Sequence, residues 1–170
     1  MMGWRVAYCK VYYPLAYYAS YFSIRATDFN YELMCLGKDH LEEVMASYDA
    51  KGDGLSAKEK GTYDDMRLVQ EMYARGFEFL SMDLYRSDAR YFQIVDGKLL
   101  PPFNSLDGMG DTAAESLQIA ASQSEFTSKN DLKNRGKVSS TIIENMERLG
   151  IIQGLPEDDQ LSFFDYMKVQ

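Results

Sequence analysis

The residues with the most directed chemistry are two glycines around a methionine, Gly108-Met109-Gly110, followed by Asp111 and Thr112. Glycine lets the backbone take positive φ, or lie against a ligand where a Cβ would intervene. Asp111 or Thr112 then suits the cap of an alanine-rich helix, whose first N–H groups find no partner inside the helix. Free N–H groups at a tight turn, backed by a helix N-terminus, attract an anion such as phosphate. Lys129, Lys133, Arg135 and Lys137 come shortly downstream and offer a second phosphate-facing surface. The same glycine spacing also suits a plain packing corner between helices, and a basic face also suits solvent.

Other chemistries lack parts. His40 is the only histidine, next to Asp39 and near Glu42, and reads as a solvated surface residue. Cys9 and Cys35 have no metal-ligand spacing; Cys9, in an apolar helical run, is expected to be a buried, reduced thiol. Asp49 to Lys60 has the outline of a calcium loop, but Lys51 and Lys60 stand at the third and twelfth positions, where oxygen ligands are needed. It is expected to be a polar loop without calcium. No nucleophile, base or metal cluster assembles, so no catalytic residue and no metal site are expected in this chain.

The elements that must position the glycine turn are mostly helical. Helices are expected over Met1–Tyr13, Leu15–Arg25 and Tyr31–Leu36, the last capped by Thr27 or Asp28 and stopped by Gly37. Another is expected over His40–Tyr48. The tyrosines and Phe22 of the second helix cover most of its circumference and read as core rather than as a stacking platform. Ser56 and Glu59 form a capping box for Ala57–Arg75, closed by Gly76. Tyr91–Val95 and Lys98–Leu100 flank Asp96-Gly97, the strongest hairpin signal in the chain. Short helices follow over Ser128–Asn134 and Thr141–Leu149. The fold expected is mostly α with one small β-hairpin, and a chain that starts inside a helix is expected to be a piece of something larger.

Size and charge bound the rest. The 170 residues, 46% of them hydrophobic, suit one domain or two small ones. A net charge of −8 argues against broad adhesion to nucleic acid, so any such contact must be local. The uncharged run Val11–Ile24 is too short to span a membrane and contains Pro14, so a soluble, cytoplasmic protein with no membrane partner is expected.

Two resemblances sharpen this. Leu106-x-Gly108-Met109-Gly110-x-x-x-Ala114 resembles the helix-hairpin-helix motif, which grips nucleic-acid phosphate without reading sequence. Arg5-Val-Ala-Tyr-Cys-Lys-Val-Tyr-Tyr-Pro14 and Tyr17-Tyr18-Ala19-Ser20-Tyr21-Phe22 resemble the end of the fingers region of bacterial DNA polymerase III α subunits. Arg75-Gly76-Phe77, Asp83-Leu84-Tyr85-Arg86-Ser87-Asp88-Ala89, Leu100-Pro-Pro-Phe-Asn104 and Lys137-Val-Ser139 are similar to the PolC type in particular. The resemblance covers residues 3–164. It implies an outer-fingers subdomain over 1–98, with its β-hairpin beginning near 91. A helix-hairpin-helix DNA-binding module over 99–155, packed on it, and a flexible tail over 156–170 complete the division.

It further implies a part of a replicative DNA polymerase, a nucleotidyltransferase, that contacts duplex DNA through Gly108, Met109, Gly110, Asp111 and Thr112 and the four basic residues. The palm aspartates lie elsewhere in such proteins. This chain is therefore expected to be non-catalytic and to need no cofactor, while the parent polymerase uses Mg2+ and dNTPs. Gln160, Leu161, Ser162, Phe163 and Phe164 resemble the family's sliding-clamp peptide, with Phe163 in place of a leucine. The clamp, duplex DNA and the remainder of the polymerase chain are the implied partners. Thr112 stands where strong DNA-binding hairpins often carry Lys or Arg. A structural helical domain whose hairpin is only a packing corner is the competing reading.

Overall fold

The computed structural model describes residues 2–158. The sliding-clamp peptide expected at Gln160–Phe164 lies outside the described residues. Among those residues are eight α-helices and one two-stranded antiparallel sheet. They comprise α1 (Met2–Tyr12), α2 (Pro14–Ile24), α3 (Tyr31–Met34), α4 (Lys38–Lys51) and α5 (Ala57–Ala74), then β1 (Gln93–Val95) and β2 (Lys98–Leu100), then α6 (Asp111–Gln123), α7 (Lys129–Gly136) and α8 (Ser140–Arg148). The mostly α class expected from periodicity is the one observed.

Local chemistry sets the boundaries. Pro14 opens α2, where its missing N–H costs nothing. The Ser56 hydroxyl accepts from the Glu59 N–H while the Glu59 carboxylate accepts from the Ser56 N–H, the reciprocal cap expected for α5. Asp96 and Gly97 both take positive φ (51° and 74°), the twist that a two-residue hairpin needs. Two details differ from expectation. Asn30, not Thr27 or Asp28, caps α3, its Oδ1 accepting from Leu33 N at 3.1 Å, because the extended backbone needed at a cap falls at that residue. The calcium-like segment is in part helix: α4 runs on through Asp49–Lys51 before Gly52 turns it at φ 51°.

The apolar residues separate into two cores. One gathers Tyr18 and Phe22 of α2, Met34, Leu41, Met45, Met66, Val69 and Met72, with Phe92 and Leu99 of the hairpin segment. The α2 rings are core, as their crowding implied. The other gathers α6, α7 and α8 around Phe103, Leu117, Leu132 and Met146, joined by Met82, Leu84 and Ala89. The chain crosses between the cores over 79–103, where Phe79 bridges Leu99. Two ties span the lobes. Tyr31 belongs to the second core and its hydroxyl accepts from Met82 N (3.2 Å), while Arg148 forks onto Glu32 at 2.7 and 2.8 Å.

Two sequence expectations about exposure are corrected here. Cys9 is exposed rather than buried, because α1 buries none of its residues. His40 is half-buried rather than solvated, and its Nε2 is shielded without a hydrogen-bond partner, because α4 begins against α3.

Candidate nucleic-acid interface

The chain enters the glycine turn through Pro101-Pro102 and a single 3-10 turn over Phe103–Ser105. Met109 N then donates to Leu106 O at 3.1 Å, which closes the turn. Gly108 sits at φ 79°, a conformation that side chains rarely adopt, so glycine is required there by backbone shape. Met109 is buried and pins the turn to the second core.

Gly110 has an ordinary extended conformation, φ −75° and ψ 160°, and serves as the N-cap of α6. A Cβ placed on it would meet nothing within 4 Å. The fold therefore does not require glycine at this position, whereas the close approach of a ligand would.

The expected caps are not used. Neither Asp111 nor Thr112 caps α6; Gly110 precedes the helix without any side-chain cap, because Asp111 already lies within the first turn. Asp111 instead accepts from Asn104 Nδ2 (3.1 Å) and lies 3.8 Å from Arg90 Nη1. Arg90 also reaches Glu115 at 2.7 Å. The N-terminal end of α6 is thus left without a side-chain acceptor, and its nearest carboxylate is turned toward Arg90. Such an end attracts an external anion.

A second turn has the same order of a left-handed residue, a buried residue and an extended N-cap, and was not evident in the sequence. Between α7 and α8, Lys137 takes φ 54°, Val138 is buried, and Ser139 (φ −72°, ψ 157°) is the N-cap. Residue for residue this repeats Gly108, Met109 and Gly110. The repeat is hard to see in the sequence because a lysine occupies the left-handed position that glycine normally marks. Val138 between Lys137 and a Ser cap was the remaining signal. Here the Ser139 hydroxyl accepts from Ile142 N at 3.3 Å, so this turn is partly capped from within.

The four basic residues divide into two pairs. Lys129 bonds both Glu147 (2.7 Å) and Glu157 (2.5 Å), and these carboxylates hold its ammonium above the ordinary lysine value. Arg135 turns inward. Its guanidinium donates to the carbonyls of Ala120, Ser124 and Glu125 at the end of α6, pairs with Asp131 at 2.9 Å and lies over the Phe126 ring. Lys133 and Lys137 are exposed. The Lys133 ammonium donates to Ser140 Oγ at 2.9 Å, which fixes it beside the N-terminus of α8. Lys137 forms the second turn itself.

Across from the glycine turn lies a cleft of about 550 Å³, its far wall formed by residues including Asp28, Asn30, Tyr48 and Lys58. Lys58, which sequence reasoning did not single out, is the cation on that wall. Among the described residues, no group of three or more His, Cys, Asp or Glu side chains could hold a metal. No helix among them is long and apolar enough to cross a membrane.

Two turns of matching order, each ending at a helix N-terminus and packed through α6–α8, define a helix-hairpin-helix protein, and the chain belongs to that motif family, whose model matches residues 76–160. The resemblance then becomes particular. The PolC-type DNA polymerase III of Clostridium perfringens is 44% identical over 96% of this chain, that of Bacillus subtilis 45% over 96%, and that of Lactococcus lactis 44% over 97%. The chain spans only 11%, 11% and 10% of these relatives' own lengths. It is a homologue of one small part of a PolC-type polymerase.

Proposed function

We propose that this chain is the duplex-gripping part of a bacterial replicative DNA polymerase of PolC type. The glycine turn and the Lys137 turn each hold a phosphate of duplex DNA, the first through backbone N–H groups and the second with added charge. Neither touches a base edge, so binding is independent of sequence. The observation that carries the reading is Gly110, a glycine whose backbone and surroundings would accept a side chain. Asp107, Asp111 and the overall charge of −8 keep affinity low, and the contact is local.

Lys133 and Lys137 are the charged contacts; Lys129 and Arg135 hold the fold that presents them. Nucleotide transfer belongs to the remainder of the longer polymerase chain, with its Mg2+ and dNTPs. The segment Gln160–Phe164 docks the sliding clamp by placing Leu161 and the phenylalanines in an apolar cleft. The setting is cytoplasmic.

Gly110→Val tests the reading. The variant is expected to stay folded, with a small drop in melting temperature because valine is a poorer N-cap than glycine, and to lose duplex binding about equally for all sequences. Lys133→Ala with Lys137→Ala should reduce the slope of log affinity against log salt by about 0.9 for each contact removed. Unchanged binding by a folded Gly110→Val chain would reduce the turn to a packing corner.

A further inference from the structure

Among the described residues, α1 is the one α-helix with no buried residue. None of the α1 residues is buried, although Met2, Trp4, Val6, Val11 and Tyr12 are each more than half exposed and Tyr8 is 43% exposed. A helix that is apolar around much of its circumference is ordinarily an interior helix. Exposed apolar surface of this extent marks an interaction site. Yet α1 is held in a defined position. Its Lys10 ammonium reaches Glu71 on α5 at 2.7 Å, and Arg75 donates to the Lys10 carbonyl at 3.0 Å. It is therefore a fixed apolar surface presented outward.

Trp4, Tyr8, Val11 and Tyr12 follow i, i+4, i+7, i+8 spacing and form one stripe. Its rings lie against one another, Trp4 to Tyr8 with centroids 5.9 Å apart and Tyr8 to Tyr12 4.4 Å apart. We propose that this stripe is the seam on which another part of the same polymerase polypeptide packs, making α1 an interior helix of the whole enzyme. The inference rests on the reading of this chain as a part of such a polymerase. The occupant follows from the relatives, in which about nine-tenths of the chain lies outside the stretch matched here.

Single-stranded DNA is the competing occupant, since α1 carries Arg5 and Lys10 and no acid. The geometry disfavours it. Stacking on bases needs free ring faces, and here Tyr8 is flanked by Trp4 and Tyr12. Aliphatic Met2, Val6 and Val11 add surface suited to packing, with no π-face to offer.

The test compares one substitution in two settings. Trp4→Glu is made in the 170-residue chain, and again in the Clostridium perfringens polymerase carrying this chain in place of its matched stretch. In the chain alone the side chain is 76% exposed, so helicity and melting temperature should not change. In the graft a buried glutamate should lower the melting transition of the grafted region by at least about 4 °C. A graft that does not fold with native α1, or one indifferent to Trp4→Glu, overturns the proposal. So does a dimer of the chain alone that Trp4→Glu dissociates, or quenching of the sole tryptophan by single-stranded DNA. Duplex binding by the turns is measured separately, so the seam and the function can fail independently.

Discussion

Arg135 shows how much of a cation's work depends on what the fold brings to it. In the sequence it stands among lysines as one of four cations; in the fold its guanidinium closes the end of α6 by serving three carbonyls and Asp131. Hydrogen bonds from a charged donor contribute more than neutral ones, so Arg135→Ala is expected to cost about 2 kcal/mol in urea unfolding. Lysine at this position should not restore it, since it lacks the planar fork.

Asp65 makes a second residue-level prediction. Burial raises its carboxyl to about 6, with the Asp28 and Asp64 charges adding to the rise and the Asp28 backbone N–H opposing it. A folded-state value above the unfolded one means that the folded chain holds the proton longer. The neutral form is therefore accommodated below about pH 4, and stability is lost as pH climbs to about 6. Asp65→Asn should match the parent near pH 4 and exceed it above pH 6, by up to about 3 kcal/mol. A melting-temperature difference that does not vary with pH would contradict this.

Elements were legible where a few neighbouring side chains decide the backbone. The Ser56–Glu59 box, the Asp96-Gly97 turn and Pro14 all act within four residues, and each was read correctly. What lay beyond local signals depended on tertiary neighbours. Cys9 was expected to be buried because its helix is apolar, but α1 touches α2 and α5 along too little of its surface to bury any of its residues. Which lysines enter ion pairs could not be read either, because Glu147 and Glu157 reach Lys129 from distant sequence. The second turn was hidden by Lys137. A non-glycine residue at φ 54° is strained, and glycine should relieve about 1 kcal/mol of that cost. Lys137→Gly is thus expected to raise thermal stability while lowering the salt slope of duplex binding. A loss of stability, or a slope equal to the parent's, would count against the role assigned to that lysine.

At the scale of the whole molecule, two cores share one chain that passes between them, and Arg148–Glu32 ties them across 116 residues of sequence. The resemblance to polymerase sequences found the family that composition and charge could not. The clamp-docking proposal belongs to this scale too. Truncation after Asp159 is expected to leave the melting temperature unchanged and to abolish binding to the clamp, measured by surface plasmon resonance at micromolar clamp concentration. A clear drop in melting temperature would mean instead that Phe163 and Phe164 cover part of the chain's own core.

The two turns share an order of residues but not a chemistry, and that asymmetry has a mechanical side. The glycine turn offers only peptide dipoles, whose hold on a phosphate depends on fit. The Lys137 turn adds a unit charge, whose hold weakens as counterions accumulate. A duplex gripped by both is held by one stiff hand and one adjustable hand. On the proposed reading, rising ionic strength is expected to loosen the second first and leave the helix axis free to swivel about Gly108–Gly110, so the grip would work as a pivot before it lets go.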